Sequence, residues 1–286
     1  MNIQKKLIEI LSQKSTSPFL FLGSGFSRRY IGLEKWDELL KVLADKVGKP
    51  FGFYKSNANG NLPQVASLIA KDFQNKVWNE DEFSSFREKY GDRLTTDESA
   101  FKYAVSDYLQ SKLKPSLSDY TNLNKEISLL QKLNVDSIIT TNWDTFIEQL
   151  FPDYEVFIGQ EELLFSNSIL MGEIFKIHGS ITDPESLVVT QKDYDTFSAK
   201  NPYLAAKLIT IFVEHPIIFI GYSLNDPNII SMISSIVSCL NAEKLRLLQN
   251  NLIFVEYNKD PKAIPEFKES SMLIGDTNLP ISIICL

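Results

Sequence analysis

Short runs of β-branched and aromatic residues, each leading into a polar turn and then a helical pattern, constrain this chain more than any other feature. "PFLFL" (residues 18–22) is followed at once by "GSGFS", and "VDSII" (residues 135–139) by "TTNWD". "YEVF", "IFKI", "LVV", "IIFI", "LIFVEY" and "ISIICL" read as further strands, and helical patterns such as "KNPYLAAKLITIFVEH" and "NDPNIISMISSIVSCL" separate several of them. Strands buried on both faces read as continuous apolar runs, and parallel strands need crossover helices between them. The alternation predicts an α/β fold: a Rossmann-like, doubly wound, mostly parallel sheet.

Residues 51–113 break that rhythm. "QVASLIAKDF", "DEFSSFREKY" and "ESAFKYAVSDYLQSKL" carry helical periodicity and no strand. The expected organisation is one domain, with a core of about residues 15–50 and 120–286 and a helical module over about 51–115. A helix is expected from residues 33–37 to Gly48, stopped by that glycine and by Pro50. In "YTNLNKEISLLQKL", Leu123, Ile127, Leu130 and Leu133 share one helical stripe. The N-terminal "MNIQKKLIEILSQK" places Ile3, Leu7, Ile10 and Leu11 on one face, the mark of an amphipathic surface helix and not of a signal peptide. No apolar run approaches the roughly 18 residues of a membrane span, so a cytoplasmic protein without membrane binding is expected. The terminal "ISIICL" has no closing helix, which is expected of the N-terminal part of a longer protein.

Composition narrows the chemistry. A net charge of −7 argues against a broad nucleic-acid surface. Cys239 and Cys285 are the chain's 2 cysteines, too few for a four-cysteine zinc site or a disulfide framework. No metal-ligand cluster is visible, and no metal is expected.

Ligands of parallel α/β sheets collect at the carboxyl ends of the strands, so the residues after each run carry the functional reading. Gly23, Ser24, Gly25 and Ser27 form a turn that either joins strand to helix or lets a diphosphate approach backbone N–H groups. The dinucleotide fingerprint wants a third glycine where Arg28 stands, and its acidic residue about 20 positions on falls in a helical region, so an ordinary dehydrogenase is excluded. Thr141, Asn142, Trp143 and Asp144 end the next strand; Asn142 or Asp144 either caps a helix starting near Thr145 or meets a ligand. His178 and Gly179 follow "IFKI", whereas His215 precedes a strand, the wrong end for a site, and receives no role. Gly221, Ser223 and Asn225 follow "IIFI", with Asp226 and Pro227 as cap and first turn of a helix.

The four turns in this order resemble the sirtuin family, and more closely the sirtuin-like domains of bacterial antiphage-defence proteins. "GSGFS" is similar to the family's Gly-Ala-Gly-x-Ser, "TTNWD" to its Thr-Gln-Asn-x-Asp, "KIHGS" to its His-Gly and "GYSLNDPN" to its Gly-x-Ser turn. The resemblance implies NAD+ as substrate, with Gly23, Ser24, Gly25 and Ser27 around the diphosphate. It implies Thr141, Asn142, Trp143 and Asp144 at the nicotinamide riboside, His178 as base, and Gly221, Ser223 and Asn225 toward the adenosine. The helical module stands where deacylating sirtuins carry their four-cysteine zinc module. NAD+ hydrolysis to nicotinamide and ADP-ribose is therefore the expected activity, as the toxic effector of a defence system that depletes NAD+. A homo-oligomer, and control by a C-terminal sensor domain or a partner protein, are expected with it. A protein deacylase or ADP-ribosyltransferase on the same core, and a catalytically silent NAD- or ADP-ribose-binding assembly module, are the alternatives.

Overall fold

The computed structural model describes residues 3–120, 123–159, 172–199, 202–222, 251–258, 260 and 262–286, with isolated positions at 162, 230, 233–234, 237–238, 245 and 248. In chain order the elements are α1 (Ile3–Ser12), β1 (Phe19–Leu22), α2 (Ser24–Ile31), α3 (Trp36–Lys46), α4 (Phe51–Asn57), α5 (Leu62–Asn79), α6 (Ser84–Tyr90), α7 (Ser99–Lys112) and α8 (Asn124–Leu130). They continue with β2 (Ser137–Thr140), α9 (Phe146–Leu150), β3 (Glu155–Ile158), β4 (Glu173–Lys176), α10 (Gln191–Ala199), α11 (Pro202–Glu214), β5 (Ile217–Ile220), β6 (Leu252–Glu256), β7 (Glu266–Ile274) and β8 (Thr277–Cys285).

The strands form one sheet in the order β3-β4-β2-β1-β5-β6-β8-β7, parallel throughout except for the β7–β8 hairpin. The expected Rossmann-like α/β architecture is present. From β1 the chain moves to β2 on one side, and it later returns to β5 on the other. That divergence opens the crevice in which such sheets hold ligands. Leu22 pairs with Thr140 and Ile220, and Thr140 with Lys176, so four strands end level on one rim.

Side chains alternate across β1. Phe19 and Phe21 join an apolar cluster with Ile211, Phe212, Phe219 and Phe254 on one face. Leu20 and Leu22 join Ile138, Phe146, Ile147 and Ile174 on the other. Burial on both faces is why the strand reads as "FLFL", with no polar position to mark an outer side. A third cluster belongs to the helices: α3 contributes Leu39, Leu40 and Leu43, α5 Ile69 and Phe73, and α7 Phe101 and Leu109. α3 therefore packs with α5 and α7, although it precedes the expected start of the helical module.

Three readings change. Leu187, Val188 and Val189 are no strand: the Val188 N–H donates to the His178 carbonyl (3.0 Å) and the Val189 N–H to Asp193 Oδ2 (3.1 Å), which leaves no ladder to join. α8 ends at Leu130, so Leu133 drops off the stripe and stands 41% exposed. β7 adds a strand where none is expected. Among the described residues no helix is long and apolar enough to cross a membrane.

Candidate functional site

Thr140, the last residue of β2, sets the turn that follows. Its hydroxyl donates to the Leu22 carbonyl (2.7 Å) and accepts from the Asn142 N–H (3.0 Å), tying the ends of β1 and β2 together. Asn142 is thereby aimed across the rim. Its Nδ2 donates to the Gly23 carbonyl (2.9 Å) and to Ser27 Oγ (2.8 Å). The Gly23 carbonyl can only accept, so the amide nitrogen has to face it. Oδ1 is left as the end of Asn142 available to a ligand.

Asp144, 1% exposed, accepts from the Phe146 N–H through Oδ1 (3.0 Å) and so caps the start of α9. The carboxylate is the cap; the amide reaches across the site. Beneath them lies Lys176, whose side chain is fully buried and whose ammonium donates to the Asp144 carbonyl and to Glu148 Oε1 (2.7 Å). Burial pushes the Glu148 carboxyl up, against the pull of Lys176. Removing one member of a buried pair is costly, so Lys176→Met is expected to lower stability by about 3–5 kcal/mol, measured by urea denaturation.

His178 follows β4 and is 4% exposed. Its ring stands edge-on to Phe197 (4.9 Å between centroids) and Tyr194 (5.8 Å). Loss of hydration lowers its pKa to about 4, so the imidazole is neutral at pH 7. Gly179 has φ +88°, and a Cβ there would fall 2.3 Å from the Ser186 carbonyl oxygen. The glycine after the histidine is required by this close passage of the 186–188 segment.

The glycine turns at β1 and β5 are built against each other. A Cβ on Gly221, at φ +81°, would meet the Phe26 nitrogen at 2.4 Å, and one on Gly25 would meet the Gly221 carbonyl at 2.8 Å. The Gly25 N–H donates to Gly221 (3.0 Å), the Gly23 N–H to Ile220 (2.9 Å) and the Phe26 N–H to Gly23 (2.9 Å). These contacts account for the glycines by themselves. They also engage three of the N–H groups of residues 23–27, so a full backbone cradle for a diphosphate is not what the turn offers. Tyr222 adds a hydrogen bond between its hydroxyl and Thr141 Oγ1 (2.8 Å). Ser223, Asn225, Asp226 and Pro227 lie outside the described residues.

One cavity of about 240 Å³ collects Ser24, Ser27, Thr141, Asn142, Trp143, Asp144, His178 and Tyr222. Glu34, Trp36, Leu39, Leu109 and Tyr194, none of them singled out in the sequence, complete its wall with Leu33. Pockets that bury a whole cofactor-sized ligand run to roughly 300–1,000 Å³. This one suits a single end of such a molecule. It brings a neutral imidazole, an amide and a carboxylate together with an aromatic and aliphatic lining. Among the described residues no group of three or more His, Cys, Asp or Glu is placed to hold a metal ion.

Residues 136–273 match the family model described as a SIR2-like domain. "NAD(+) hydrolase ThsA" of Bacillus cereus (strain MSX-D12) is 22% identical over 242 residues, covering 79% of this chain and 41% of that protein. A protein of the same name from Cytobacillus dafuensis is 26% identical over 160 residues, 54% of this chain and 32% of the relative. "Defense-associated sirtuin 2" of Bacillus subtilis is 29% identical over 104 residues, 34% of this chain and 10% of the relative. The chain thus spans less than half of the length of these relatives. Residues 136–273, the stretch that matches the SIR2-like domain model, carry Asn142, Asp144 and His178.

Proposed function

We propose that the protein hydrolyses NAD+ to nicotinamide and ADP-ribose, and that it does so as the effector of an antiphage defence that works by depleting NAD+. The observation that carries this reading is the cavity shared by Asn142 and His178; relatives named NAD(+) hydrolase support it. Nicotinamide in NAD+ is already a cationic leaving group and needs no acid. The reaction needs a placed nucleophile and a stabilised oxocarbenium-like ribose. Asn142 Oδ1 orients the attacking water or the ribose hydroxyls, and His178 accepts the proton. Asp144 holds the turn in which Asn142 sits. Ser24 and Ser27 meet the diphosphate with Gly23 and Gly25 shaping their turn, Thr141 and Trp143 flank the riboside, and Gly221 lies toward the adenosine, the role the family resemblance implies for Ser223 and Asn225 as well.

The protein incubated with NAD+ alone, without any peptide, is expected to release nicotinamide, quantified by chromatography. Release only in the presence of an acylated peptide would favour the deacylase. Binding of NAD+ or ADP-ribose without release, seen as a rise in melting temperature, would favour the silent module. The single-domain organisation with its helical module, a homo-oligomeric state, and control by a further domain or partner belong to the same proposal. A specific rate that rises with protein concentration is the expected sign of assembly.

A further inference from the structure

The turn that carries Asn142 and the turn that carries His178 are stitched together by three hydrogen bonds. The Ile177 N–H donates to the Thr140 carbonyl (3.0 Å) and the Ile181 N–H to the Trp143 carbonyl (2.9 Å). The third bond is made by a side chain: Lys176 Nζ donates to the Asp144 carbonyl. Two successive carbonyls of the turn after β2 are thus held by the segment on which His178 stands. The two backbone bonds are open to most residue types. The third needs a long side chain with a donor at its tip, and so depends on the lysine.

Stability alone would favour an apolar residue at this position. Lys176 closes β4 on the same face as Ile174, whose cluster includes Phe146 and Ile147. Its side chain has no exposed surface, and its charge is answered by Glu148 (2.7 Å), itself largely buried. Replacing a buried ion pair by apolar residues of similar volume is often neutral or stabilising. The pair by itself therefore gives no reason for an ammonium under the site. The Asp144 carbonyl does: Lys176 reaches it from β4 and, through Glu148, also grips the first turn of α9.

We infer that Lys176 is a positioning residue: through the Asp144 carbonyl it fixes the turn after β2 against the turn after β4, and so sets the spacing of Asn142 and His178 across the cavity. It lines no part of that cavity and acts through the two residues that do. The assignment rests on the NAD+-cleaving reading.

The test separates this bond from the charge pair. Lys176→Met combined with Glu148→Met removes both charges and the bond to Asp144. Glu148→Gln removes one charge and keeps the bond, since the Lys176 nitrogen donates whether charged or neutral. A small misplacement of reacting groups costs up to about 100-fold in rate, so the double variant is expected to release nicotinamide about 10- to 100-fold more slowly at saturating NAD+. Its KM is expected to stay within about threefold, and Glu148→Gln is expected to keep kcat within about threefold. Amide exchange read by mass spectrometry over residues 140–146 and 177–181, relative to the rest of the sheet, is expected to quicken in the double variant and not in Glu148→Gln. A double variant that keeps its kcat overturns the assignment and leaves NAD+ cleavage standing. So does a fall of about tenfold or more in the kcat of Glu148→Gln, which would make the charge pair the cause. A kcat preserved in Glu148→Gln supports the assignment, and this arm decides it if the double variant does not fold. If the unaltered protein cleaves no NAD+, the catalytic reading falls, and the exchange comparison decides Lys176 by itself.

Discussion

Asn142→Ala is expected to lower nicotinamide release by about 10²–10³-fold, the usual cost of losing one preorganised polar group at a developing charge. The expectation follows from how the side chain is held. Both Nδ2 hydrogens are engaged, by the Gly23 carbonyl and by Ser27 Oγ, so Oδ1 cannot turn away from the ligand without breaking them. Alanine removes the oxygen and also unties β2 from the glycine turn. Asn142→Asp separates the two effects. A carboxylate oxygen in place of Nδ2 would face the Gly23 carbonyl, so the aspartate variant is expected to melt lower than the alanine variant although it is closer in shape. Release measured at saturating NAD+, with melting curves for both variants, checks the pair. Full activity in either variant would remove Asn142 from the mechanism.

His178 gives the second large effect. His178→Ala is expected to reduce turnover by about 10²–10⁴-fold, the range of a positioned base. The pH dependence is the sharper result, because burial lowers the pKa to about 4 from an ordinary value near 6.5. The imidazole stays unprotonated through the mildly acidic range. The profile of kcat/KM is expected to lack a limb at 6.5 and to fall only toward pH 4. Stability carries the same signature. Between pH 6.5 and 4 the unfolded chain binds a proton that the folded chain refuses, so stability rises with pH across that window and is complete above 6.5. The shift corresponds to about 3 kcal/mol in all, of which about 2 kcal/mol is lost by pH 5. His178→Phe keeps the packing against Phe197 and is expected to flatten this slope in urea titrations at pH 7 and pH 5. A slope as steep as that of the unaltered protein would trace it to another group.

What could be read from the sequence was local. Four-residue apolar runs such as "FLFL" and "IIFI" announce buried parallel strands because both of their faces are apolar, and the turns after them stand out through glycine, asparagine and histidine. β7 escaped notice because "EFKESSMLI" mixes charge and serine into a strand that is exposed over most of its length. Its existence depends on pairing with β8 across a hairpin. "LVV" misled in the opposite direction: three residues of strand-like composition are buried, but a carbonyl and a carboxylate claim their N–H groups. The site was half legible. Asn142 and His178 share a cavity as their motifs suggested, whereas the glycines serve the meeting of two backbones before they serve any ligand. Glu34 and Lys176 were invisible. A charged residue in a sequence looks solvated, and only tertiary packing turns one of them into a buried strut and leaves the other with an unanswered oxygen.

α7 supplies Leu109 to the cavity wall and, one turn further along, Lys112 to the anchor of Glu34. Width and electric field at that side of the cavity are therefore mechanically linked through a single rod. A push that slides this helix by a fraction of a turn would change the room for a ring and the charge facing it in one stroke. The helical module is thus a lever with its short arm inside the chemistry, and deleting it would remove a wall along with an ornament.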